Sequence, residues 1–295
     1  MNSYKYIYND NIELLDNNLG PNGENLTIVI LSYNKCDLTI RLLNSVAKYL
    51  KKYKGNILIF DNNSDKKEKR KLTSYLKKYQ FNCSLYFSKK NLGIAGGRRK
   101  AFSLVKTDWI MSLDNDMYFI DNPIKELNDC IDKLGAKFIN LPAYKNNKKE
   151  VFINGGKFKI INNDPICITA STYNEKICYN MYLSSFAFGG SSLINKYAYD
   201  LIGGYDKKFF VGYEDVDLSI RCYKAGIKIA NINKFSLIHE HLILKDEASV
   251  MYEKTRYNYE RIMKSVNYFM KKYKNQYNVL SKGEKEFLDE MRNKL

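Results

Sequence analysis

Leu26-Thr27-Ile28-Val29-Ile30-Leu31-Ser32-Tyr33-Asn34 is the stretch on which the fold turns. Its β-branched and aliphatic run reads as a buried strand, closed by the polar Ser32-Tyr33-Asn34. Downstream, Leu38, Leu42, Leu43, Val46 and Leu50 recur at helical spacing over 37–53, with Asp37 as N-cap. The rhythm then repeats. Strands are expected at 57–60, 84–87 and 109–113, and helices at 66–79 and 94–106. The helix at 66–79 is lysine-rich and keeps Leu72, Tyr75, Leu76 and Tyr79 on one face. Strand–helix alternation predicts a parallel sheet wound with helices, in which ligands bind beyond the C-terminal ends of strands.

Upstream, residues 1–25 are polar and acidic without period and read as an N-terminal arm. The second half is less regular. Strands are expected at 137–141, 151–161 and 234–238, a long loop over 162–182, and a strand at 186–194 interrupted by Gly189-Gly190. Residues 215–225 read as a helix, 250–273 as a long helix and 281–293 as a shorter one. This divides the chain into 1–25, a main domain over 26–245, and a helical extension over 246–295.

Of 295 residues, 45% are hydrophobic and 27% charged, which sustains a core and excludes wholesale disorder. No apolar run approaches the roughly 18 residues that span a bilayer, and no signal-peptide core is visible, so the cytoplasm is the expected compartment. The six cysteines form no CxxC pair and read as reduced thiols. GxxxxGK[ST] is absent, which excludes an ordinary P-loop NTPase. The net charge of +16 points to an anionic partner, against the plainer account of lysine excess written by an AT-rich genome. The placement is uneven: residues 51–106 carry 16 lysines and arginines against Asp61, Asp65 and Glu68.

The strand ends carry the chemistry. They read Ser32-Tyr33-Asn34, then Asp61-Asn62-Asn63-Ser64-Asp65, then Asn91-Leu92-Gly93-Ile94-Ala95-Gly96-Gly97-Arg98-Arg99, then Asp114-Asn115-Asp116. Each alone is a polar turn or a helix start. Four at successive strand ends face one crevice. Asp114 and Asp116 together suit a hard divalent cation that bridges to phosphates. Glu214, Asp215 and Asp217 crowd one helix start, more acids than capping needs, so one is available as a base. The two histidines, His239 and His241, follow the last expected strand and suit metal ligation.

With these motifs in order, the chain resembles the family-2 glycosyltransferases of the GT-A fold, and within them the rhamnosyltransferase-like and galactofuranosyltransferase-like enzymes. The carriers are the strand-SYN opening, the DNNSxD loop, the NxGxAGG stretch, the DxD and the segment from Gly203 to Gly226, over roughly 26–241. The resemblance implies a Rossmann-like nucleotide-sugar-binding sheet and inverting transfer from a nucleotide-diphosphate sugar, with UDP- or dTDP-sugars favoured. It implies that Asp61 meets the nucleobase in a pocket shaped by Ser32 and Tyr33. Asn91, Gly93, Arg98, Arg99, Asp114, Gly190 and Glu214 would bind the donor. Asp116 and His239 would hold Mn²⁺ or Mg²⁺, and Asp215 would be the catalytic base. Arg99 stands where many relatives have asparagine, and a guanidinium there can pair bidentately with phosphate.

The implied acceptor is a glycan or lipid-linked hydroxyl, at the inner face of a membrane if the basic block meets anionic lipid. Nucleic acid is not an expected partner, since no recognition motif appears. A sugar-nucleotidyltransferase is the alternative, and it would carry a GxGTR-type loop where Ser32-Tyr33-Asn34 stands. A basic nucleic-acid-binding protein is a further one, resting on the 25 tyrosines and 15 phenylalanines as stacking platforms.

Overall fold

A computed structural model describes residues 18–146, 149–161, 164–168, 180–240 and 247–273, with backbone alone at 157–161, 164–168 and 248–249. His241 and the helix expected at 281–293 lie outside the described residues. The first half follows the sequence rhythm. Strands β1 (Leu26–Ser32), β2 (Asn56–Asp61), β3 (Cys83–Phe87) and β4 (Trp109–Asp114) run parallel in the spatial order β3-β2-β1-β4. Helices α1 (Cys36–Tyr49), α2 (Lys66–Leu76) and α3 (Gly93–Phe102) make the crossovers.

The parallel sheet expected from the strand–helix alternation is present over these four strands, and beyond β4 the sheet is mixed. It continues through β12 (Ser191–Asn195), β6 (Phe138–Asn140), β13 (Ile229–Ile232) and β11 (Met181–Ser184) to make eight strands. β12 is antiparallel to both β4 and β6. Between β4 and β12 the chain crosses a second sheet and returns from the opposite end, which reverses the strand. That second sheet has the order β5-β14-β7-β8, from β5 (Met117–Phe119), β14 (Leu237–His239), β7 (Ala143–Lys145) and β8 (Val151–Ile153).

Other differences have local causes. The strand expected at 151–161 breaks at Asn154-Gly155-Gly156, where Gly155 has φ +85°. Its second part, β9 (Lys157–Ile161), pairs with β10 (Asp164–Ile168) inside the segment expected to be loop. At 186–194 only β12 is strand, and Gly189 and Gly190 precede it. Helix α4 (Ile124–Leu134) has no counterpart in the expectations, although Ile124, Leu127 and Ile131 repeat at helical spacing after Asn122-Pro123. Short helix α5 (Lys196–Leu201) follows β12, and α6 (Glu214–Lys224) starts at the acid cluster. The long helix expected at 250–273 is two, α7 (Glu247–Arg256) and α8 (Tyr259–Lys272). Asn258 separates them because its carboxamide oxygen accepts the Arg261 N–H at 3.0 Å, a strong N-cap. Asp37 is not the cap of α1. That helix begins one residue earlier, and Glu68 from α2 accepts the Cys36 N–H at 2.7 Å.

Strand alternation divides the core. Ile28, Ile30, Met111 and Leu113 face Leu42, Leu43 and Val46 of α1 and Leu127 of α4. Val29, Leu58, Phe60 and Ile110 face Phe102 of α3, Leu218 of α6 and Phe269 of α8. Each of these side chains is buried to 5% exposure or less, and burial of one contributes about 1.5–3 kcal/mol. On α2, Leu72 is buried while Lys67 and Lys71 are exposed, as are Lys77 and Lys78 just past its end, with Lys71 paired to Asp37. Among the described residues, no helix is long and apolar enough to cross a membrane.

Candidate active site

The loops after β1 and β2 are laced together. Asn62 donates its backbone N–H to the Ser32 carbonyl at 2.7 Å, and the Asn34 N–H reaches Ser64 Oγ at 2.7 Å. The Asn34 carboxamide oxygen accepts from the Asp65 N–H at 2.9 Å. Asn34 and Lys35 take left-handed backbone angles to make this junction, φ +52° and +47°. Ser32 and Asp61 are drawn into the scaffold. Ser32 Oγ meets Thr39 Oγ1 at 3.0 Å, and Asp61 Oδ1 accepts the Ser64 N–H at 2.9 Å. Burial raises the Asp61 pKa, opposed by Ser64 and Lys69. The wall of the cavity at this strand end is Asn62, with Tyr33 on one side and Asn91 on the other. The Asn62 amide donates to Asn91 Oδ1 at 3.1 Å and to the Gly93 carbonyl at 3.0 Å, and its oxygen accepts the Leu92 N–H at 2.9 Å. Gly93 has φ +73°, and a Cβ there would strike the Phe210 backbone.

Arg98 is the hub of the next group. Its side chain is 3% exposed, and Nη2 donates to Asp114 Oδ1 at 2.7 Å. Nη1 stands 3.5 Å from Asp215 Oδ1 and 3.7 Å from Glu214 Oε1. Three carboxylates from two distant segments thus converge on one buried guanidinium. Gly189 and Gly190 pass close by as bare backbone. A Cβ on Gly189 would meet Arg98, Asp215 and Tyr205, and one on Gly190 would meet the Asp114 carboxylate. Arg99 turns away from this cluster, with Nη1 donating to the Gly203 and Tyr205 carbonyls at 2.6 and 2.7 Å.

The three acids at the start of α6 have separate fates. Asp217 is fully buried and held by Arg221, Lys272 and Tyr273 at 2.6–3.0 Å, so it anchors α8. Glu214 is 7% exposed, and its Oε2 has no hydrogen-bond partner among the described residues. Burial first, then the neighbouring Asp215, pushes its pKa up to about 7, with Arg98 opposing. Asp215 is 24% exposed and accepts the Tyr205 hydroxyl at 3.3 Å. Its pKa is raised by burial, opposed by Arg98 and the Gly189 backbone. Tyr213, immediately before them, has φ +65°, a strained conformation for a bulky residue.

The second sheet supplies the other half. β14 pairs antiparallel with β5 so that His239 stands opposite Met117, one residue beyond Asp116. His239 Nε2 lies 3.4 Å from Asp116 Oδ2, and the imidazole stacks on Phe152 with ring centroids 3.8 Å apart. Among the described residues no three of His, Cys, Asp and Glu converge on one point, so this pair alone makes an incomplete metal set. It fits a divalent ion whose other ligands are water and substrate phosphate oxygens.

The profile of Glycosyl transferase family 2 matches residues 27–202, more than half of the chain. The chain belongs to glycosyl transferase family 2. It is 26% identical over 225 residues to the dTDP-rhamnosyl transferase RfbF of Shigella flexneri, covering 74% of this chain and 69% of that one. Among solved structures it resembles GalNAc-T7 with UDP, GalNAc and Mn²⁺ (TM-score 0.59, 18% identity, 73% of this chain, 44% of that one). It also resembles S. aureus TarS 1-349 in complex with UDP (TM-score 0.55, 15% identity, 91% of this chain, 70% of that one). A second S. aureus TarS structure matches at TM-score 0.55, with 43% of its chain covered. The glycosyltransferase thus spans less than half the length of GalNAc-T7 and of that TarS chain. At these identities the structural likeness establishes the GT-A fold.

This family-2 glycosyltransferase closes its cavity with residues outside the motifs. Tyr252, Thr255 and Arg256 of α7 complete the wall opposite Asp114 and Asn115. Tyr252 first, then Asp114 and Asp116, favour the protonated form of Arg256 against the opposing effect of burial. α7 is fastened to the β1 loop by Lys35, 2.7 Å from Glu253 and over the Tyr252 ring. The sequence signals were an asparagine beside the singled-out Asp61, and an arginine far down a helix. Neither position declares its destination without the tertiary fold.

Proposed function

We propose that the protein is an inverting, metal-assisted glycosyltransferase that takes a sugar from a UDP- or dTDP-sugar. The acceptor is a hydroxyl of a glycan, glycolipid or other lipid-linked precursor. The observation that carries this reading is the convergence of Asp114, Arg98 and Asp215 beside the bare backbone of Gly189-Gly190. The family match and the RfbF relative support the reaction class and the dTDP-sugar choice.

Each residue has a role that follows from its place. Tyr33, Ile94 and Phe210 give the cavity an apolar and aromatic lining suited to a planar base. Ser32 and Asp61 hold that lining in position. Arg256, which lines the cavity and donates to the Tyr252 hydroxyl, offers a cation for the diphosphate. Asp116 and His239 would hold the divalent ion, which as a Lewis acid neutralises charge growing on the leaving diphosphate. Asp215, the most solvent-accessible of the three acids at α6, accepts the proton of the acceptor hydroxyl. The acceptor oxygen forms its bond to the anomeric carbon while the bond to the diphosphate breaks, and the electron pair leaves with the nucleotide. In-line attack inverts the centre. Arg98 keeps Asp215 ionised and oriented, and Gly189-Gly190 leaves room for the sugar.

A panel of nucleotide sugars with Mn²⁺ or Mg²⁺, scored by hydrolysis and thermal shift, tests the reading. Stabilisation by a dTDP- or UDP-sugar with nucleoside-diphosphate release supports it. Pyrophosphate release from a nucleoside triphosphate and sugar phosphate would replace it with nucleotidyl transfer. The exposed lysines of α2 suit an anionic membrane at which a lipid-linked acceptor resides. Vesicle co-sedimentation that needs anionic lipid and is lost at high salt checks that contact; its absence at low salt removes it.

A further inference from the structure

Behind α3, on the far side of Asn91 from the nucleotide cavity, lies a second concavity of about 520 Å³. Its wall is one helix face, Leu92, Gly96, Arg99, Lys100 and Ser103, joined by Lys90 and by Lys207 from the 203–209 loop. The lining carries four cations and no carboxylate. None of Lys90, Arg99, Lys100 or Lys207 has an ion-pair partner among the described residues. Lysines elsewhere do find acids: Lys35 with Glu253, Lys125 with Asp129, Lys145 with Glu150 and Lys234 with Glu126.

The groove is also pre-formed. Arg99 is tied through Nη1 to the Gly203 and Tyr205 carbonyls, so its charge is fixed at the rim. The loop that carries Lys207 is held from behind by Asp206, which pairs with Lys272 at 2.9 Å and accepts the Tyr268 hydroxyl at 2.8 Å. Walls of fixed charge in a cleft concentrate an anion more than scattered lysines on a convex face do. Asn91 belongs to both concavities, and the 203–209 loop leads directly to Glu214 and Asp215, so groove and active site share their walls.

We propose that this groove binds a phosphate-bearing part of the acceptor, a diphosphate or phosphodiester group, while the sugar is transferred. This rests on the glycosyltransferase reading for the word acceptor only. The donor has its own cation in Arg256, across Asn91. A nucleic acid would need stacking faces, and the lining of the groove has no aromatic side chain. A bilayer is flat, whereas this surface is concave and admits a chain of phosphates.

The probe is sodium tripolyphosphate, titrated calorimetrically into the full chain in metal-free buffer. Wild type should bind it at low salt and progressively lose it as salt rises. Lys100→Glu with Lys207→Glu should weaken binding by about tenfold or more, the equivalent of 1.4 kcal/mol. The milder Lys100→Gln with Lys207→Gln should lie between, and the loss caused by the two lysine changes should persist when they are made in an Arg256→Gln background. Loss in Arg256→Gln with retention in the lysine variant would place the anion in the nucleotide cavity and overturn the proposal. Equal binding by all variants would overturn it in favour of a solvated face. No binding of tripolyphosphate, with anionic vesicles bound through Lys100 and Lys207, would overturn it in favour of a bilayer. Thermal shift of the lysine variants by UDP with Mn²⁺ reports folding and the donor site separately. If wild type ignores both UDP and dTDP, the proposed donor reading falls while the groove titration still stands or falls alone.

Discussion

Arg98 Nη2 sits 2.7 Å from Asp114 Oδ1, from a side chain that is 97% buried behind the strand end, so the first acid of Asp114-Asn115-Asp116 is charge-paired from within. The guanidinium that does this also stands within 3.7 Å of both Glu214 and Asp215. One cation therefore couples the carboxylate at the end of β4 to the two at the start of α6, and the site is a network rather than a row of independent acids.

Removing that cation should be costly. Arg98→Ala leaves three carboxylates around an uncompensated cavity, and breaking a buried pair from one side costs about 3–5 kcal/mol. A lowered Tm by thermal denaturation is expected, with Arg98→Lys intermediate because an ammonium cannot fork between acids. Unchanged Tm in Arg98→Ala would show that the network contributes nothing to the fold.

Asp215 and Asp217 should separate function from stability. Asp215→Asn is expected to fold and bind UDP normally while turnover falls by ~10²-fold or more. Asp217→Asn is expected to lower Tm, since it loosens Arg221, Lys272 and Tyr273 together. Full activity in Asp215→Asn would move the base to Glu214.

The protonation of Glu214 gives a pH signature. Burial raises its pKa in the folded state from 4.5 to about 7, so between those values the folded state binds more protons than the unfolded one. This favourable contribution is complete below pH 4.5 and is lost as pH rises through about 7. Glu214→Gln cannot lose it. The Tm advantage of Glu214→Gln over wild type should therefore grow from pH 4.5 to about 7 and then level. A constant difference across that range would mean that Glu214 is ionised throughout.

Metal dependence should follow the second sheet. Asp116→Ala should reduce the dependence of donor affinity on Mn²⁺ or Mg²⁺ most, His239→Ala less and His241→Ala least, read by thermal shift with UDP across a metal titration. Turnover of the intact enzyme that ignores EDTA would end the metal assignment.

The sequence by itself determined the strand–helix rhythm of the first half and the motifs at each strand end, because buried periodicity and turn chemistry are local properties. It also marked Asp114, Asp116, the three acids Glu214, Asp215 and Asp217, and the pair His239 and His241 before any contact was known. It left α4 and β5 unmarked: the first has only a short apolar face, and the second is three residues long and is strand because β14 pairs with it. Only the tertiary structure decided which of three adjacent acids meets the crevice, since one helical turn points Asp215 to Gly189 and Asp217 into the core. It turned Arg99 outward and Arg98 inward from neighbouring positions. It brought Arg256 across 142 residues of chain to face Asp114, through an α7 anchored at Lys35–Glu253. Such meetings are set by the packing of whole elements, and no local pattern in the chain encodes them.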